Sequence, residues 1–252
     1  MTKVGVALQL YTVRDQTAKD YVGTLREVAK MGYPGVEIAG GHSFSAAELR
    51  RVLDDLGLKV AGSHIGIEKL EEDIDREIEY NLAIGNRDLV CPYLPEPRRR
   101  DAAGYRATAA TLSALGAKCR QRGARLSYHN HSFEFVRFDG EYGLDILLGS
   151  ADPAAVNWEA DVYWLQHGGV SPADYLRRYS GRIPLVHLKD MLGDATRAFA
   201  EVGEGIVDFR SVFAAGEASG AEWYIVEQDI CRRPSLESAK LSLEHLKEWG
   251  KL

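Results

Sequence analysis

The sequence predicts a single (β/α)8 barrel, an α/β fold in which parallel strands close into a ring inside a layer of helices. Short apolar runs alternate with longer amphipathic runs along all 252 residues, which is typical of a parallel sheet. Eight such pairs in about 250 residues suit this barrel. No linker divides residues 1–252, so we expect one domain. An open doubly wound sheet usually carries a glycine-rich turn after its first strand, whereas Gln9–Arg14 contains no glycine.

Apolar and β-branched runs predict the eight strands in chain order. The fourth run is closed by Pro92, because proline cannot donate a hydrogen bond to a neighbouring strand. The predicted strands are Val4–Leu10, Gly35–Ile38, Lys59–Ser63, Asp88–Pro92, Arg125–His129, Ala155–Glu159, Pro184–Leu188 and Trp223–Glu227.

Amphipathic runs with recognisable ends predict the helices. Ser45 with Glu48 three residues later is the signature of a capping box, and Gly32 follows the last apolar position of the first helix. The predicted helices are Asp20–Met31, Ala46–Leu56, Leu70–Ile84, Ala102–Arg122, Leu144–Leu148, Val162–Gln166, Pro172–Tyr179, Phe209–Ser219 and Ser235–Trp249.

Composition excludes several classes of protein. The 31 Lys and Arg against 37 Asp and Glu give a net charge of -6, which argues against general nucleic-acid binding. No run approaches the ~18 apolar residues of a membrane helix, and the first residues do not have the order of a signal peptide. The 3 cysteines form no CxxC pair. We therefore expect a cytoplasmic protein without a membrane or nucleic-acid partner.

Polar side chains stand near the carboxyl end of nearly every predicted strand, where barrels of this class build their active sites. They are Gln9, Tyr11, Glu37, His64, His129, His131, Glu134, Glu159, Asp161, His187, Lys189, Asp190, Glu227 and Asp229. The convergence of so many groups on one rim is hard to explain as a solvated surface. A mixed set of imidazoles and carboxylates suits Mn²⁺, Co²⁺, Zn²⁺ or Mg²⁺.

Four short segments carry the strongest signals. Tyr128–Phe135 holds two histidines and a glutamate, which could bind or support a metal or form a structural hydrogen-bonded pair. In Val186–Asp190, strand alternation places His187 and Lys189 on one face. In Trp158–Asp161 either carboxylate could bind a metal, and Asp161 is nearer the strand end. The carboxylate in Val226–Asp229 is costly to bury unless it is paired or metal-bound.

These residues resemble the xylose-isomerase-like barrel superfamily of sugar isomerases and epimerases, and the similarity covers almost the whole chain. The segments that carry the resemblance are Leu8–Asp15, Gly32–Glu37, Ser63–Gly66, Tyr128–His131, Asn157–Asp161, His187–Asp190, Val202–Gly205 and Glu227–Asp229. The resemblance implies sugar chemistry on one divalent metal ion. Each segment alone would be weak, but together they are specific.

The resemblance also implies which residues act. It carries the family's metal ligands onto Glu134, Asp161, His187 and Glu227, with His129 as the alternative to Glu134. Mn²⁺ is the first choice of ion. Glu134 and Glu227 would form the acid–base pair that moves a proton beside a carbonyl. The substrate-binding residues would be Tyr11, Glu37, His64, His129, His131, Trp158 and Lys189.

The resemblance leaves the reaction open. Inosose dehydratases and keto-sugar lyases share the fold, the metal and the first deprotonation, and then expel a leaving group. An AP-endonuclease-type repair enzyme would need more metal ligands than the 7 histidines offer. A non-catalytic sugar-binding barrel is a further alternative. Without an obvious phosphate cradle we expect a free sugar or keto-sugar as substrate, and a homodimer is possible.

Overall fold

Eight strands form a closed parallel barrel in the computed structural model, which describes residues 3–40 and 42–252. The strands are β1 (Gly5–Gln9), β2 (Gly35–Ile38), β3 (Lys59–His64), β4 (Asp88–Cys91), β5 (Arg125–His129), β6 (Val156–Asp161), β7 (Leu185–Leu188) and β8 (Trp223–Val226). Each strand pairs with its neighbours in chain order, and β8 pairs with β1. The predicted barrel is confirmed, and the open sheet is excluded.

The described residues form ten α-helices around this barrel. They are α1 (Arg14–Thr17), α2 (Tyr21–Met31), α3 (Ala46–Leu56), α4 (Ile67–Ala83), α5 (Ala102–Gln121), α6 (Gly143–Ser150), α7 (Val162–His167), α8 (Pro172–Arg178), α9 (Phe209–Ser219) and α10 (Ser235–Glu248). The capping box is present at Ser45 and Glu48. Among these helices, none is long and apolar enough to cross a membrane.

The structure differs from the prediction in the start of one helix and in several short elements, among them α1 (Arg14–Thr17), which was not predicted. The helix predicted from Leu70 begins at Ile67, directly after Gly66. Two short antiparallel pairs were not predicted: residues 137–138 pair with 141–142, and residues 190–191 pair with 199–200. Strands of two residues are too short to show an alternating pattern, so the sequence gives no signal for them.

Side chains alternate in direction along each strand, so they form two cores, one inside the barrel and one between the strands and the helices. The inner core consists of five fully buried residues on the barrel axis, which are Ala7, Ala61, Val90, Leu185 and Ile225. Two residues further along their strands, Gln9, His187 and Glu227 point the same way as this apolar layer. The much larger outer core lies between the strands and the helices. Inward positions near the carboxyl ends are therefore polar.

The opposite end of the barrel is held by ion pairs at the strand starts. Arg125 lies at the start of β5 and donates two hydrogen bonds to Asp88 at the start of β4. It also donates to Glu222, which directly precedes β8. Arg125 therefore bridges Asp88 and Glu222, and polar groups at this end of such barrels serve stability.

Candidate active site

A buried cluster of charged and imidazole side chains fills the carboxyl end of the barrel. Its members are Glu37, His64, His129, Glu159, Asp161, His187, Lys189 and Glu227. The side chain of His64 is 11% exposed, and every other side chain in the cluster is 4% exposed or less. Because unpaired charges are so costly to bury, groups of this kind must be paired or bound to a metal.

Two sets of four residues in this cluster have the spacing that a metal ion requires, among the residues that the structure describes. One set is His129, Asp161, His187 and Glu227, and the other is His64, His129, Glu159 and His187. In each set the candidate ligand atoms lie within 4.8 Å of one another. His129 and His187 belong to both sets, and neither set contains a thiolate.

Asp161 has one oxygen committed to the fold and one left over. Its Oδ1 accepts the backbone N–H of Trp164 at 2.9 Å and so caps the start of α7. Its Oδ2 is buried and accepts no hydrogen bond from the described residues, although Lys189 Nζ lies 3.1 Å away. Burial raises the pKa of Asp161 to about 6. A buried carboxylate oxygen without a hydrogen bond fits a cation ligand.

Lys189 places a buried ammonium among three carboxylates. Its Nζ lies 2.7 Å from Glu227, 2.8 Å from Asp229 and 3.1 Å from Asp161. Burial alone would lower the pKa of Lys189, but these negative charges outweigh burial and raise the pKa. Lys189 is therefore a fixed positive charge near the opening at the carboxyl end of the barrel, which we call the mouth.

Glu227 is an ionised carboxylate that touches two cluster members. Its Oε2 lies 2.8 Å from His187 Nδ1 and 2.7 Å from Lys189 Nζ. Burial would raise the pKa of Glu227, but the positive charges of Lys189 and His187 hold it well below its usual range. Glu227 is 4% exposed, whereas Asp161 is fully buried. Of these two carboxylates, Glu227 is the one that solvent touches.

Glu37 lies deeper in the barrel than the residues that face the mouth. It is fully buried, and its Oε2 accepts a hydrogen bond from Gln9 at 2.7 Å and lies 2.6 Å from His187 Nε2. Its other oxygen occupies the space that a Cβ would need at Gly62. Burial and the charge of Glu159 raise the pKa of Glu37 to about 7. Glu37 therefore supports His187 from below.

Glu134 lies apart from the cluster, which corrects its expected position beside Asp161, His187 and Glu227. A 3-10 turn after β5 folds Glu134 back, and its oxygens accept hydrogen bonds from Tyr128 Oη and the His131 backbone N–H. Tyr128 belongs to the outer core, because strand alternation points it away from the barrel axis. Burial raises the pKa of Glu134 to about 7. His129 takes the inward place in the cluster.

Trp158 also requires correction, because it faces the helices. It is fully buried in the outer core, 5.5 Å from the ring of Tyr179. Its indole N–H donates to Asn130 Oδ1, which also accepts the backbone N–H of Asp161. Glu159 and Asp161 lie on the opposite face of the same strand. Trp158 and Asn130 thus fix the end of β6, and Trp158 does not line the mouth.

Aromatic side chains surround the mouth instead. Trp164 is half-buried, with its ring 5.5 Å from that of His131 and 5.7 Å from Lys189 Nζ. Tyr11 is 41% exposed and Tyr93 is 47% exposed. Sequence reasoning missed Trp164 and Tyr93, since both lie in loops or helix starts where no strand alternation marks their direction.

Asp190 and the glycines after it have a structural role. The carboxylate accepts backbone N–H groups from Gly203, Gly205 and Val207 and so holds the loop that follows β7. A Cβ at Gly205 would collide with this carboxylate, and Gly203 has a φ of 98°. The local glycine pattern therefore reflects a tightly held loop.

The chain belongs to the xylose isomerase-like TIM barrel family, whose model matches residues 25–249. The rhizopine catabolism protein MocC of Rhizobium meliloti is 29% identical and is matched over 88% of this chain and 79% of its own. An inosose dehydratase of Geobacillus kaustophilus is 27% identical, over 92% of this chain and 87% of its own.

The fold has a solved counterpart in a sugar phosphate isomerase/epimerase from Parabacteroides distasonis. The TM-score is 0.85 with 23% sequence identity, and the match covers 98% of this chain and 94% of that chain. At this level of identity the likeness concerns the fold alone. The predicted family is confirmed by the family model.

Proposed function

We propose that this protein is a divalent-metal-dependent enzyme that removes a proton next to a carbonyl of a sugar or keto-sugar. The observation that carries the proposal is the set His129, Asp161, His187 and Glu227 at the carboxyl end of a barrel of this family. The unbonded Oδ2 of Asp161 supports a cation there. Mn²⁺ is our first choice, with Co²⁺, Zn²⁺ or Mg²⁺ as alternatives.

The ion would be held by Asp161, His187, Glu227 and His129, which replaces Glu134 in the predicted set. When bound, it would polarise the substrate carbonyl and acidify the neighbouring C–H bond. A set that combines imidazole nitrogens with carboxylate oxygens can bind any of the four candidate ions. No cysteine takes part, so a closed thiolate zinc site is not proposed.

Glu227 is the proposed base. It is ionised because Lys189 and His187 depress its pKa, and it is the slightly exposed carboxylate of the set. Lys189 would stabilise the negative charge that develops on the substrate as the proton leaves, because its ammonium is fixed 2.7 Å from Glu227 Oε2. His64, the most exposed of the cluster histidines, is proposed to bind a substrate hydroxyl.

The aromatic groups at the mouth are proposed to bind the apolar face of the sugar. Tyr11, His131 and Trp164 have rings there, and the buried Nδ1 of His131 has no hydrogen-bond partner in the part of the chain that the structure describes. An aromatic ring offers a large apolar surface at low entropic cost, while its polar atom stays available. Trp164 takes the place that the sequence assigned to Trp158.

A pair of tryptophan variants separates these two roles. Trp164→Phe is expected to raise KM by about 2–10-fold, comparable with an aromatic contact of ~0.5–1.5 kcal/mol. Trp158→Phe is expected to lower the free energy of unfolding by ~1–3 kcal/mol, because a buried hydrogen bond to Asn130 is lost. Steady-state kinetics and urea unfolding of both variants measure these effects. A larger KM change for Trp158→Phe would contradict the assignment.

Dehydration or β-elimination is the second candidate, and the inosose dehydratase among the relatives favours it. Both candidates begin with the same deprotonation by Glu227, so the cluster serves either reaction. They differ in whether the proton returns to carbon or a leaving group departs. A small sugar or keto-sugar is the proposed substrate in both cases.

The experiment that tests the proposal is solvent exchange in D₂O. The metal-loaded protein is incubated with a panel of sugars, keto-sugars and inososes, with the chelator-treated protein as control. Metal-dependent deuterium uptake without loss of water would support an isomerase or epimerase, and net elimination would support a dehydratase or lyase. If no member of the panel exchanges or eliminates with metal present, the proposed proton abstraction is refuted for these substrate classes.

A further inference from the structure

One buried carboxylate in the cluster is shared by three imidazoles. Glu159 Oε1 lies 2.8 Å from His64 Nε2, 2.9 Å from His129 Nδ1 and 3.1 Å from His187 Nε2. Glu159 is fully buried, so these contacts with the imidazoles are shielded from solvent. Either Glu159 is itself a metal ligand, or it orients the histidines that are.

His129 and His187 belong to both sets. Each turns one ring nitrogen toward Glu159 and the other toward Asp161 or Glu227. His129 directs Nδ1 at Glu159 and places Nε2 3.7 Å from Asp161 Oδ2. His187 Nε2 is hydrogen-bonded to Glu37 Oε2 at 2.6 Å and lies 3.1 Å from Glu159 Oε1, while its Nδ1 lies 2.8 Å from Glu227 Oε2. A neutral imidazole has one N–H and one lone pair. Each ring can therefore bind an ion on one side while it donates a proton to the other.

The exposure of the carboxylates favours one side of the cluster for the ion. Glu159 directs one oxygen, Oε1, at all three imidazoles, so this atom is fully engaged as an acceptor. Asp161 Oδ2 and Glu159 Oε2 are both buried without a hydrogen-bond partner among the described residues, so this feature alone does not separate the two sides. Glu227 is slightly exposed at the mouth, whereas Glu159 is not exposed at all. An ion that meets substrate belongs on the side of Asp161 and Glu227.

We propose that Glu159 is a positioning residue that fixes the tautomer of His129. By accepting from His129 Nδ1–H, it would leave His129 Nε2 free to bind the ion. The inference deepens the proposed function and rests on its metal site. Carboxylates that accept from metal-binding histidines are a recurrent device for orienting the ring.

His129 depends on Glu159 more than His187 does. His187 Nε2 also lies 2.6 Å from Glu37 Oε2, which is closer than its distance to Glu159. For His129 Nδ1, the one hydrogen-bond partner in the described residues is Glu159. Loss of Glu159 should therefore alter the tautomer of His129 first, and loss of Glu37 should alter that of His187.

The first test is metal binding by Glu159→Gln, which is measured by titration with Co²⁺ and visible absorption spectroscopy. Loss of a carboxylate behind a metal-binding histidine typically weakens metal affinity ~10–100-fold, and we expect this range with one ion per chain retained. Glu134→Gln is the matched control, since Glu134 is equally buried but bonds to Tyr128 and His131. The control should bind Co²⁺ as the wild type does.

The second test reads the tautomers directly by ¹⁵N NMR of the histidine side chains. In the wild type we expect the proton of His129 on Nδ1, and in Glu159→Gln we expect this preference to weaken. The wild-type measurement does not depend on whether the variant folds. It also needs no metal, so it separates this inference from the proposed function.

Each outcome decides one of the two claims. Wild-type Co²⁺ affinity in Glu159→Gln, or a His129 proton on Nε2 in the wild type, would overturn the positioning role. Complete loss of the ion in Glu159→Gln but not in Asp161→Asn would make Glu159 a ligand and would also overturn it. A wild type that binds no divalent ion but has the expected tautomers would refute the metal site and leave the positioning role standing.

Discussion

Replacing Glu227 with glutamine is expected to lower turnover by about 10²–10⁴-fold at saturating metal, which is the usual contribution of a general base. The amide keeps the shape of the side chain and an oxygen for Lys189 or His187, which lie 2.7 Å and 2.8 Å from Oε2. It cannot accept a proton from carbon. The measurement is kcat with a substrate identified by deuterium exchange, together with the exchange rate of that substrate.

Glu134→Gln is the control for this prediction, because the resemblance had paired Glu134 with Glu227. The structure places Glu134 with Tyr128 in the outer core. We therefore expect Glu134→Gln to retain turnover close to that of the wild type. Deuterium exchange at the wild-type rate in Glu227→Gln would show that Glu227 does not move the proton.

Asp161→Asn is expected to weaken metal affinity by more than the ~10–100-fold that the loss of a supporting hydrogen bond causes. Oδ1 caps α7 by accepting the N–H of Trp164, so the new amide nitrogen would occupy the place of Oδ2. This nitrogen would turn N–H groups toward Lys189 and toward the ion. Calorimetric titration with Mn²⁺ measures the effect.

A suitable control for Asp161→Asn is Asp229→Asn. Asp229 also contacts Lys189, at 2.8 Å, but it is not in either four-residue set and its side chain is 24% exposed. Its loss should leave Mn²⁺ affinity within a few-fold of the wild type. Equal affinities in the two variants would remove Asp161 from the ligand set.

The sequence predicted the barrel because its signals are local and repeated. Strands with branched apolar residues, helices that end at glycine and the capping box at Ser45 all depend on neighbours in the chain. The inward direction of His187 and Lys189 followed from alternation alone. These features can be predicted without knowing which residues distant in the sequence come into contact.

The direction of residues outside regular strands was not predictable in this way. Glu134 is five residues beyond the end of β5, and a 3-10 turn carries it to the outer face. For Trp158, which the resemblance placed among the substrate-binding residues, alternation along β6 turns the indole outward because Glu159 and Asp161 take the inward face. A homodimer, a cytoplasmic location and the lack of a nucleic-acid partner stay predictions from sequence.

The most direct test of the central claim is anomalous diffraction at the manganese edge from crystals grown with Mn²⁺. We expect one strong peak per chain, ligated by Asp161, His187 Nδ1, Glu227 and His129 Nε2. A peak among His64, His129 and Glu159, a peak beside Glu134, or no peak in the barrel at saturating Mn²⁺ would contradict it.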